Sequence, residues 1–525
     1  FENAFKAAFP SHTLYQDYQG VTPVTAVGEP VGLMLDKSEG LAQGPELVTN
    51  GDFATDSDWT KEGAWNISNG SASITSASND RIYQSASLDA AKTYLLSVDV
   101  LSISSASVRF RFGSNGSAGN LPEITTTGTH TFISKPLSGT SSFGIFAVAG
   151  ATATIDNVSV KEIQGSHATQ PTSTKRPIYA RHPEGGIRNL LNYTEQFDSW
   201  TYYGVSSLVP NDAIAPDGTT TADKIVFDGS NREIYQAFSS ISGTTASIYA
   251  KGTAGQTIKF GVVGNEELFT LTGGWDRLTK LTAGSTTRVT LNTFSGATAR
   301  TIYLWGAQVE EATEASNYQK VVTDIDVTES GVGEVYYLKF DGSDDGMSIN
   351  NLTSPNTPLT ALFGYSATNA NAFNGKFLVD ILTGRTVFGA STDAVSQIGY
   401  FDGAWKDFNA DSNAIKVLTY DLVENDAKIR IDGTQEYSDT TYDQKAIGGL
   451  IGLFERYDSS GNFVAGNMYQ TILRAAESTD EEIAKAETYV ANKTGLKAQV
   501  DGIATLDLNF GNNTYTAKNS NGGVI

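Results

Sequence analysis

Apolar and polar residues alternate in Tyr94-Leu-Leu-Ser-Val-Asp-Val100 and again in Ser107-Val-Arg-Phe-Arg-Phe112. Successive side chains of a β-strand point to opposite sides of the sheet, so this alternation predicts strands with one buried face. The run Ala151-Thr-Ala-Thr-Ile-Asp-Asn-Val-Ser-Val160 has the same pattern. Clusters of Gly, Ser and Asn between such runs are typical of turns. Residues 46–163 are therefore predicted to form a unit of short strands.

Residues 189–320 repeat this unit at four landmarks that occur in the same order. The landmarks are an aromatic pair, an Ile-Tyr-Gln motif, a middle strand and a closing strand. The matched segments are Phe53…Trp59 with Phe197…Trp200, Arg81–Gln84 with Arg232–Gln236, Tyr94–Val98 with Ala246–Ala250, and Ala153–Glu162 with Thr301–Glu310. Four landmarks in one order indicate a tandem duplication.

Residues 321–498 are predicted to form a different sandwich that ends in a helix. Strands are expected at 335–340, 376–381, 415–420 and 427–432, and Asp432-Gly433 is a tight-turn signal. Thr479 and Glu482 form a capping-box pattern, and Gly495 is a helix stop signal. An apolar stripe between them completes the prediction of a helix over 479–494, its members being Ile483, Ala486, Tyr489 and Val490.

Three further segments connect or extend these units. Residues 1–45 are predicted to be an anchoring or linker segment, and residues 164–188 a linker, because Pro171, Pro177 and Pro183 force extended geometry on the residues before them. Residues 499–525 contain the predicted strand Leu506–Phe510 and are interpreted as the start of a further, truncated segment. Since the chain begins at Phe1, the N-terminus is also expected to be a cut in a longer polypeptide.

Composition excludes several classes of function. The net charge of −22 repels nucleic acid phosphates, so no nucleic acid partner is expected. The absence of cysteine excludes disulfides, zinc–thiolate sites and thiol catalysis. No run of 18 apolar residues occurs in the sequence, and no membrane insertion is expected.

Aromatic residues of the two repeats are the candidate sugar-binding residues. Aromatic rings stack on the apolar faces of sugars, while neighbouring polar groups bond the hydroxyls. The candidates are Trp59, Trp65 and Tyr83 in the first repeat and Trp200, Tyr202, Tyr203 and Tyr235 in the second. The competing interpretation is that Trp59 and Trp200 are core residues. We expect Trp65, Tyr202 and Tyr203 to be exposed.

One acidic turn is a candidate calcium site. Asp341, Asp344 and Asp345 place three carboxylates in a Gly-containing loop, and Ca²⁺ prefers oxygen ligands. A solvated acidic turn is the alternative, and no other cofactor is predicted. The four histidines lack metal-ligand spacing, and no nucleophile elbow or phosphate-binding loop occurs. No enzyme activity is therefore expected.

Several phrases resemble known families. Asn50-Gly-Asp-Phe53…Trp59 and Ile155-Asp-Asn-Val-Ser-Val160 are similar to the start and end of jelly-roll carbohydrate-binding modules. Phe340-Asp-Gly-Ser-Asp-Asp345 and the segment 470–495 resemble concanavalin-like, laminin-G-like domains of phage virion proteins. The segments 17–37 and 167–177 are similar to segments of phage structural proteins. In those proteins the two segments lie close together, which implies that residues 46–163 are an inserted module here.

These resemblances imply an all-β chain: tandem jelly-roll sandwiches followed by a concanavalin-like sandwich with one C-terminal α-helix. They also imply a bacteriophage virion protein of the tail, fibre or appendage type, located on the particle surface. Its expected partners are other virion proteins, further copies of itself (a trimer is favoured) and host-surface glycans. The alternatives are a purely structural decoration protein and a secreted bacterial polysaccharide-binding protein.

Overall fold

The structure is a computed structural model, and the part of the chain that it describes is interrupted. The described residues are 4–7, 13–38, 41–86, 88–113, 121–349, 358–367, 377–381, 387–389, 397–401, 405–409, 416–443, 450–455, 463–495, 505–509 and 514–518. Lys376, Ile415 and Phe510, which bound predicted strands, lie outside these residues. The fold is all-β with one α-helix in the described part, as the sequence predicts.

The described residues contain thirty-nine strands, which are numbered in chain order. The N-terminal segment contains β1 (Ala4–Ala7), β2 (Leu14–Tyr15) and β3 (Leu33–Met34). The first repeat contains β4 (Gln43–Glu46), β5 (Thr60–Lys61), β6 (Asn66–Ser68), β7 (Ser71–Ile74), β8 (Asp80–Ser85), β9 (Thr93–Ser104), β10 (Val108–Phe112), β11 (Gly128–Ser134), β12 (Ser142–Ala147) and β13 (Thr152–Ile163). The connector contains β14 (Ala168–Thr169) and β15 (Ile178–Pro183).

The second repeat and the C-terminal part follow. The second repeat contains β16 (Thr201–Tyr203), β17 (Val205–Ala213), β18 (Ala222–Phe227), β19 (Glu233–Lys251), β20 (Thr257–Val262), β21 (Asn265–Thr270), β22 (Asp276–Asn292) and β23 (Arg300–Glu310). The remainder contains β24 (Gln319–Thr323), β25 (Asp326–Glu329), β26 (Glu334–Asp341), β27 (Met347–Ile349), β28 (Leu359–Ala367), β29 (Phe377–Ile381), β30 (Val387–Gly389), β31 (Gln397–Phe401), β32 (Trp405–Asn409), β33 (Lys416–Val423), β34 (Asp426–Ile431), β35 (Thr434–Asp439), β36 (Ile451–Leu453), β37 (Ala465–Arg474), α1 (Asp480–Thr494), β38 (Thr505–Asn509) and β39 (Thr514–Lys518).

The first repeat is a sandwich of two sheets around its own core. One sheet has the order β10-β12-β8-β5, and the other has the order β11-β9-β13-β7-β6 with β4 on β13. The two inner faces meet in one hydrophobic cluster that includes Ile82, Phe110 and Ile145 from the first sheet and Leu96 and Ile155 from the second. The alternation that predicts these strands therefore also places their apolar side chains in the core.

The second repeat forms a continuous sheet that folds over its own core. Its order is β17-β18-β23-β19-β22-β20-β21, with β16 paired to β19. Register shifts interrupt the pairing of β19 with β22 between Ala237 and Ile241 and between Ser242 and Thr244. Because such irregularities bend strands, the two long strands pass from one layer to the other.

The third sandwich is assembled from segments that are distant in sequence. One sheet has the order β24-β25-β15-β26-β37-β28-β33-β34-β35 with β1 on β37, and the other has the order β2-β3-β14-β27-β36-β29-β30-β31-β32. Residues from both sheets, such as Met34, Met347, Phe340 and Leu418, share one core cluster. This sandwich takes β2 and β3 from the segment 1–45, interpreted from the sequence as an anchoring or linker segment, and β14 and β15 from 164–188, interpreted as a linker.

Both repeats are therefore insertions into the third sandwich. Around the first insertion, β3 pairs with β14 through Leu33↔Thr169 and Met34↔Ala168. The second repeat lies between β15 and β24, and both of these strands belong to one sheet. The sequence did not indicate that β3 and β14 belong to this sandwich, because two-residue strands carry no readable alternation and these two strands pair across more than 100 residues.

Helix α1 begins and ends as its sequence signals predict. Thr479 Oγ1 accepts a hydrogen bond from Glu482 N, the Glu482 side chain accepts one from Thr479 N, and Gly495 ends the helix at φ 73°. Ile483 and Val490 are buried against the third sandwich, whereas Tyr489 of the predicted stripe is exposed. At the predicted turn, Asp432 and Gly433 both have positive φ, as a type I′ hairpin requires. No helix of the described residues has the length and apolarity needed to cross a membrane.

Candidate functional site

The three tryptophans among the candidate residues lie in hydrophobic cores. Trp59, Trp65 and Trp200 are 7%, 5% and 5% exposed, so none presents its ring to a ligand on the surface. The expected exposure of Trp65 is wrong. Trp65 directly precedes β6, where Asn66 points outward and Ile67 inward, so the alternation turns the indole into the core.

Trp59 and Trp200 are equivalent anchors of the two repeats. Trp59 Nε1 donates to Asn50 O at 2.9 Å, and Trp200 Nε1 donates to Tyr193 O at 3.0 Å. Each indole also packs on a phenylalanine, with ring centroids 5.1 Å apart for Phe53 and 5.0 Å apart for Phe197. The interpretation of both as core residues fits this geometry.

The Ile-Tyr-Gln motifs also occupy equivalent positions. In both motifs the isoleucine is buried in the core, and the glutamine amide pairs with the backbone of one residue. Gln84 pairs with both the N–H and the C=O of Thr49, and Gln236 pairs with both groups of Asn192. The tyrosine between them must point outward, which places Tyr83 and Tyr235 on the outer faces of their sheets.

The outer face of the sheet β10-β12-β8-β5 carries arginines and aromatic rings. We call this surface the basic face; it consists of Arg81, Tyr83, Arg109, Arg111 and Phe146. The register aligns these residues in two rows across the sheet, Arg109–Phe146–Arg81 and Arg111–Gly144–Tyr83–Thr60. All five members are partly exposed.

Cation–π contacts hold the side chains of the basic face together. The guanidinium carbon of Arg81 lies 4.1 Å from the centroid of the Tyr83 ring. Arg109 and Arg111 lie 5.5 and 5.0 Å from the centroid of Phe146. Such contacts fix the direction of flexible arginine side chains before any ligand arrives.

Two of the guanidiniums of the basic face pair with carboxylates at its rim. Arg81 pairs with Glu62 at 2.6 Å, and Arg109 pairs with Glu123 at 3.3 Å. Burial lowers the pKa of Arg111, and the positive charges of Arg81 and Arg109 lower it further. Both carboxylates lie at the rim of the face and are about half exposed.

The corresponding surface of the second repeat is dominated by tyrosines. We call it the tyrosine face; it consists of Tyr203, Tyr235, Glu233 and Arg288, whereas Tyr202 pairs with the buried Ile234 and points to the other side of the sheet. Tyr202 and Tyr203 of the edge strand β16 are 51% and 66% exposed, as expected from the sequence. Tyr235 is half-buried, with the Arg288 guanidinium 4.4 Å from its ring centroid. Glu233 pairs with Arg288 at 3.3 Å and accepts a hydrogen bond from Thr290 Oγ1 at 2.7 Å.

The two faces share their geometry but differ in charge. The row Thr60–Tyr83–Gly144–Arg111 of the first repeat matches Thr201–Tyr235–Thr290–Gly261 of the second. The position of Arg81 is taken by Glu233, and that of Arg111 by Gly261. The duplication thus retained the tyrosine and threonine and exchanged the charged groups around them.

A pocket of about 290 Å³ lies where the first repeat joins the third sandwich. Its lining includes Asp89, Lys92, Glu162 and His167. Lys92 is paired with Glu162 at 2.8 Å. The His167 ring accepts a hydrogen bond from Asp36 N at 3.0 Å and donates one to Ile163 O at 3.2 Å, and burial lowers its pKa. These contacts fasten the junction rather than leave groups free for chemistry.

The predicted calcium ligands do lie together. One carboxylate oxygen of each of Asp341, Asp344 and Asp345 falls within 4.8 Å of the others. Asp341 Oδ1 accepts hydrogen bonds from the backbone N–H groups of Ser343, Asp344 and Asp345. Burial, together with the charge of Asp341, raises the pKa of Asp345 to about 7. The geometry fits an acidic turn with satisfied backbone groups, and calcium binding stays a prediction.

Sequence reasoning missed most of the basic face. It selected Tyr83 but not Arg109, Arg111, Phe146 or Arg81 as binding residues. The signal was present in Val108-Arg-Phe-Arg-Phe112, because the alternation that buries Val108, Phe110 and Phe112 must turn both arginines outward. The convergence of Phe146 on them depends on strand order, which the sequence does not display.

Comparisons with known proteins identify jelly-roll structures at low overall similarity. No family model and no curated protein sequence matches the chain. Domain 4 of AbnA, an extracellular arabinanase from Geobacillus stearothermophilus, was solved with arabinotriose; it is 10% identical, and the match covers 33% of this chain and 81% of that one with a TM-score of 0.25. The tandem carbohydrate-binding modules of Paenibacillus barcinonensis Xyn10C are 15% identical over 52% of this chain and 98% of that one, with a TM-score of 0.19.

Virus proteins with jelly rolls are also among the similar structures. A triple jelly-roll protein of an archaeal virus is 11% identical over 80% of this chain and 90% of that one, with a TM-score of 0.15. None of these TM-scores reaches 0.5, and so no residue role in this chain is taken from these structures.

Proposed function

We propose that the chain is a non-catalytic structural protein of a bacteriophage particle, and that its two repeats bind host-surface glycans through their outer sheet faces. The observation that carries the proposal is the equivalence of Tyr83 and Tyr235. Each tyrosine lies on an outer face, has a guanidinium against its ring and shares its row with a threonine. This is a repeated surface of rings and hydrogen-bonding groups.

The chemistry of these faces suits sugars. An aromatic ring offers an apolar surface to the C–H groups of a pyranose, and nearby guanidinium, carboxylate and hydroxyl groups bond its hydroxyls. The exposed ring of Tyr203 extends such a surface at the edge of the second repeat. Two faces on one chain would add avidity even where each binds weakly.

The assignment to a phage particle rests on the resemblance of segments 17–37, 167–177 and 334–496 to phage structural proteins. Other virion proteins and further copies of the chain, with a trimer favoured, are the proposed partners. We propose no catalytic activity and no nucleic acid or membrane partner. The mass of the purified chain in solution, measured by light scattering, tests the trimer.

A purely structural role in the particle is the second candidate, and one observation favours it. Several large apolar side chains of the second repeat are at least 43% exposed: Ile214, Val263, Leu268 and Leu281. Such side chains could pack against another subunit. In that case the repeats would mediate assembly contacts and bind no sugar.

The test is the binding of the intact chain to arrayed glycans, including host lipopolysaccharide and capsule fragments. Tyr203→Ala and Tyr235→Ala are expected to weaken binding by about tenfold each, because each removes a stacking surface worth about 1 kcal/mol or more. Tyr489→Ala is the matched control, since Tyr489 is an exposed tyrosine on α1, outside both repeats. Absence of binding to every glycan by the folded chain would favour the structural role.

A further inference from the structure

The basic face concentrates positive charge on a strongly acidic chain. Arg81, Arg109 and Arg111 project from neighbouring strands of one sheet, whereas the chain as a whole carries a net charge of −22. The aligned positions of the second repeat hold Glu233, Lys259 and Gly261 instead. Clustering of arginines is therefore a property of the first repeat and not of the fold.

From this contrast we propose that the basic face binds an acidic glycan, that is, a chain of sugars carrying carboxylate or sulfate groups. The inference rests on the proposed function, because it names the class of sugar that one of the two faces takes. The tyrosine face, in which Glu233 occupies the place of Arg81, would take uncharged sugars.

The arginines are arranged to receive an anion. The planar guanidinium matches a carboxylate or a sulfate with two parallel hydrogen bonds. Arg109 Nη2 lies 3.3 Å from an oxygen of the half-exposed Glu123, which is long for a charge-assisted hydrogen bond, so an anionic ligand can compete with Glu123 for this guanidinium. Neighbouring guanidiniums repel one another, and an anionic ligand relieves this repulsion whereas a neutral one does not.

The floor of the basic face suits a sugar ring. Gly144 separates Tyr83 from Arg111 in their row, and a Cβ at this position would lie 2.6 Å from Tyr83 Cβ and 2.2 Å from Ile82 O. No side chain can therefore stand between the ring and the guanidinium. A sugar could stack on Tyr83 while its acidic group reaches Arg111.

Charge also argues against nucleic acid as the ligand. A nucleic acid carries a charge on every nucleotide and would extend from the small basic face over the surrounding acidic surface. An acidic glycan can present one or a few charges and otherwise contact the protein through hydroxyls and C–H groups.

The test measures binding of the intact chain by isothermal titration with five probes. The acidic probes are oligogalacturonate, which carries carboxylates, and dextran sulfate, which carries sulfates. The uncharged partners are fully methyl-esterified oligogalacturonate and dextran, and the fifth probe is single-stranded oligothymidylate. We expect binding to at least one acidic probe, at least about tenfold weaker binding to its uncharged partner, and weakening as salt rises.

Variants locate the site. Arg109→Gln and Arg111→Gln should each reduce affinity for the acidic probe about tenfold or more, and Arg111→Lys should reduce it less, since the charge is retained. Lys493→Ala is the matched control, because Lys493 also lies over a tyrosine ring, at 5.5 Å from Tyr489, but on α1. Thermal unfolding of each variant verifies that it is folded, and the comparison of acidic and uncharged probes needs no variant.

The outcomes separate the two proposals. Binding of an uncharged glycan that depends on Tyr235, with no binding of either acidic probe, would overturn the inference and leave the proposed function intact. No binding to any sugar would overturn both. Tighter binding of oligothymidylate than of the acidic glycans would overturn the inference in favour of nucleic acid.

Discussion

At the scale of single residues, buried carboxyl groups make the stability of the folded chain depend on pH. Burial raises the pKa of Asp223 to about 6 although it accepts hydrogen bonds from Phe197 N and Asn211 N. Burial likewise raises the pKa of Asp421 to about 6 and, with the charge of Asp341, that of Asp345 to about 7. Each of these carboxyl groups therefore holds its proton more tightly in the folded chain than in the unfolded chain.

The pKa of Asp345 gives the clearest prediction. In the unfolded chain this carboxyl loses its proton near pH 4, so its contribution to stability is fully present below that pH and is lost as the pH rises to about 7. This loss should be absent in Asp345→Asn. Between pH 4.5 and pH 7.5 the unfolding free energy of the third sandwich should therefore fall by about 1–3 kcal/mol less in the variant than in the parent chain. Urea unfolding at both pH values measures it, and an unchanged pH dependence in the variant would refute the assignment.

The same variant tests the predicted calcium site. A bound cation would lower the pKa of Asp345 and stabilise the parent chain at pH 7.5. Millimolar Ca²⁺ should then raise the unfolding temperature of the parent but not that of Asp345→Asn, whereas Mg²⁺ should have a smaller effect. An unfolding temperature that does not respond to Ca²⁺ supports the acidic-turn interpretation.

At the scale of elements, local signals predicted structure wherever both partners of an interaction are close in sequence. The capping box at Thr479, the Gly495 stop and the Asp432-Gly433 turn are all formed as predicted. The strands of the first repeat also follow from alternation. Failures occurred where pairing is remote: β3 and β14 are two residues long and pair across 134 residues, and nothing local to either indicates the other.

The capping of α1 can be tested directly. Thr479→Ala removes the acceptor for Glu482 N and should lower the unfolding free energy by about 1 kcal/mol. Thr488→Ala, in the middle of the same helix, is the control, and it should leave stability unchanged or slightly raise it because alanine favours helices. Equal effects of the two substitutions, measured by urea unfolding, would contradict the role of the cap.

The candidate site was predictable only in part. Tyr202 and Tyr203 are exposed as expected, whereas Trp65 was expected at the surface although the alternation through Asn66 and Ile67 turns its indole inward. The basic face could not be assembled from the sequence, since Arg81 and Arg111 come together only through the strand order β10-β12-β8. Side-chain direction is local information, but adjacency is not.

At the scale of the whole molecule, the third sandwich is the frame that carries both repeats. The polar contacts of Asp36 hold the first insertion point together: its carboxylate accepts hydrogen bonds from Ser38 N and Ser166 N, each at 2.8 Å. At the second, Arg188 pairs with Glu329 and donates to Ser316 Oγ. Polar contacts thus fix the chain at both insertion points.

Deletion of the first repeat tests this architecture. Replacing residues 41–163 by a short Gly-Ser linker should leave β3 paired with β14 and the third sandwich folded, because the ends of the insertion already meet. Circular dichroism and cooperative thermal unfolding measure the outcome. Loss of cooperative unfolding would contradict the description of the first repeat as an insertion, and a matched deletion of 190–317 examines the second.

The proposed function depends above all on glycan binding by the equivalent tyrosines Tyr83 and Tyr235 on the two outer faces. The most direct measurement is a glycan array probed side by side with the intact chain and with the double variant Tyr83→Ala/Tyr235→Ala. We predict that the intact chain binds and that the folded double variant loses that binding at least about a hundredfold, since two stacking surfaces are removed together. Binding that survives in the double variant, or no binding by the intact chain, would contradict it.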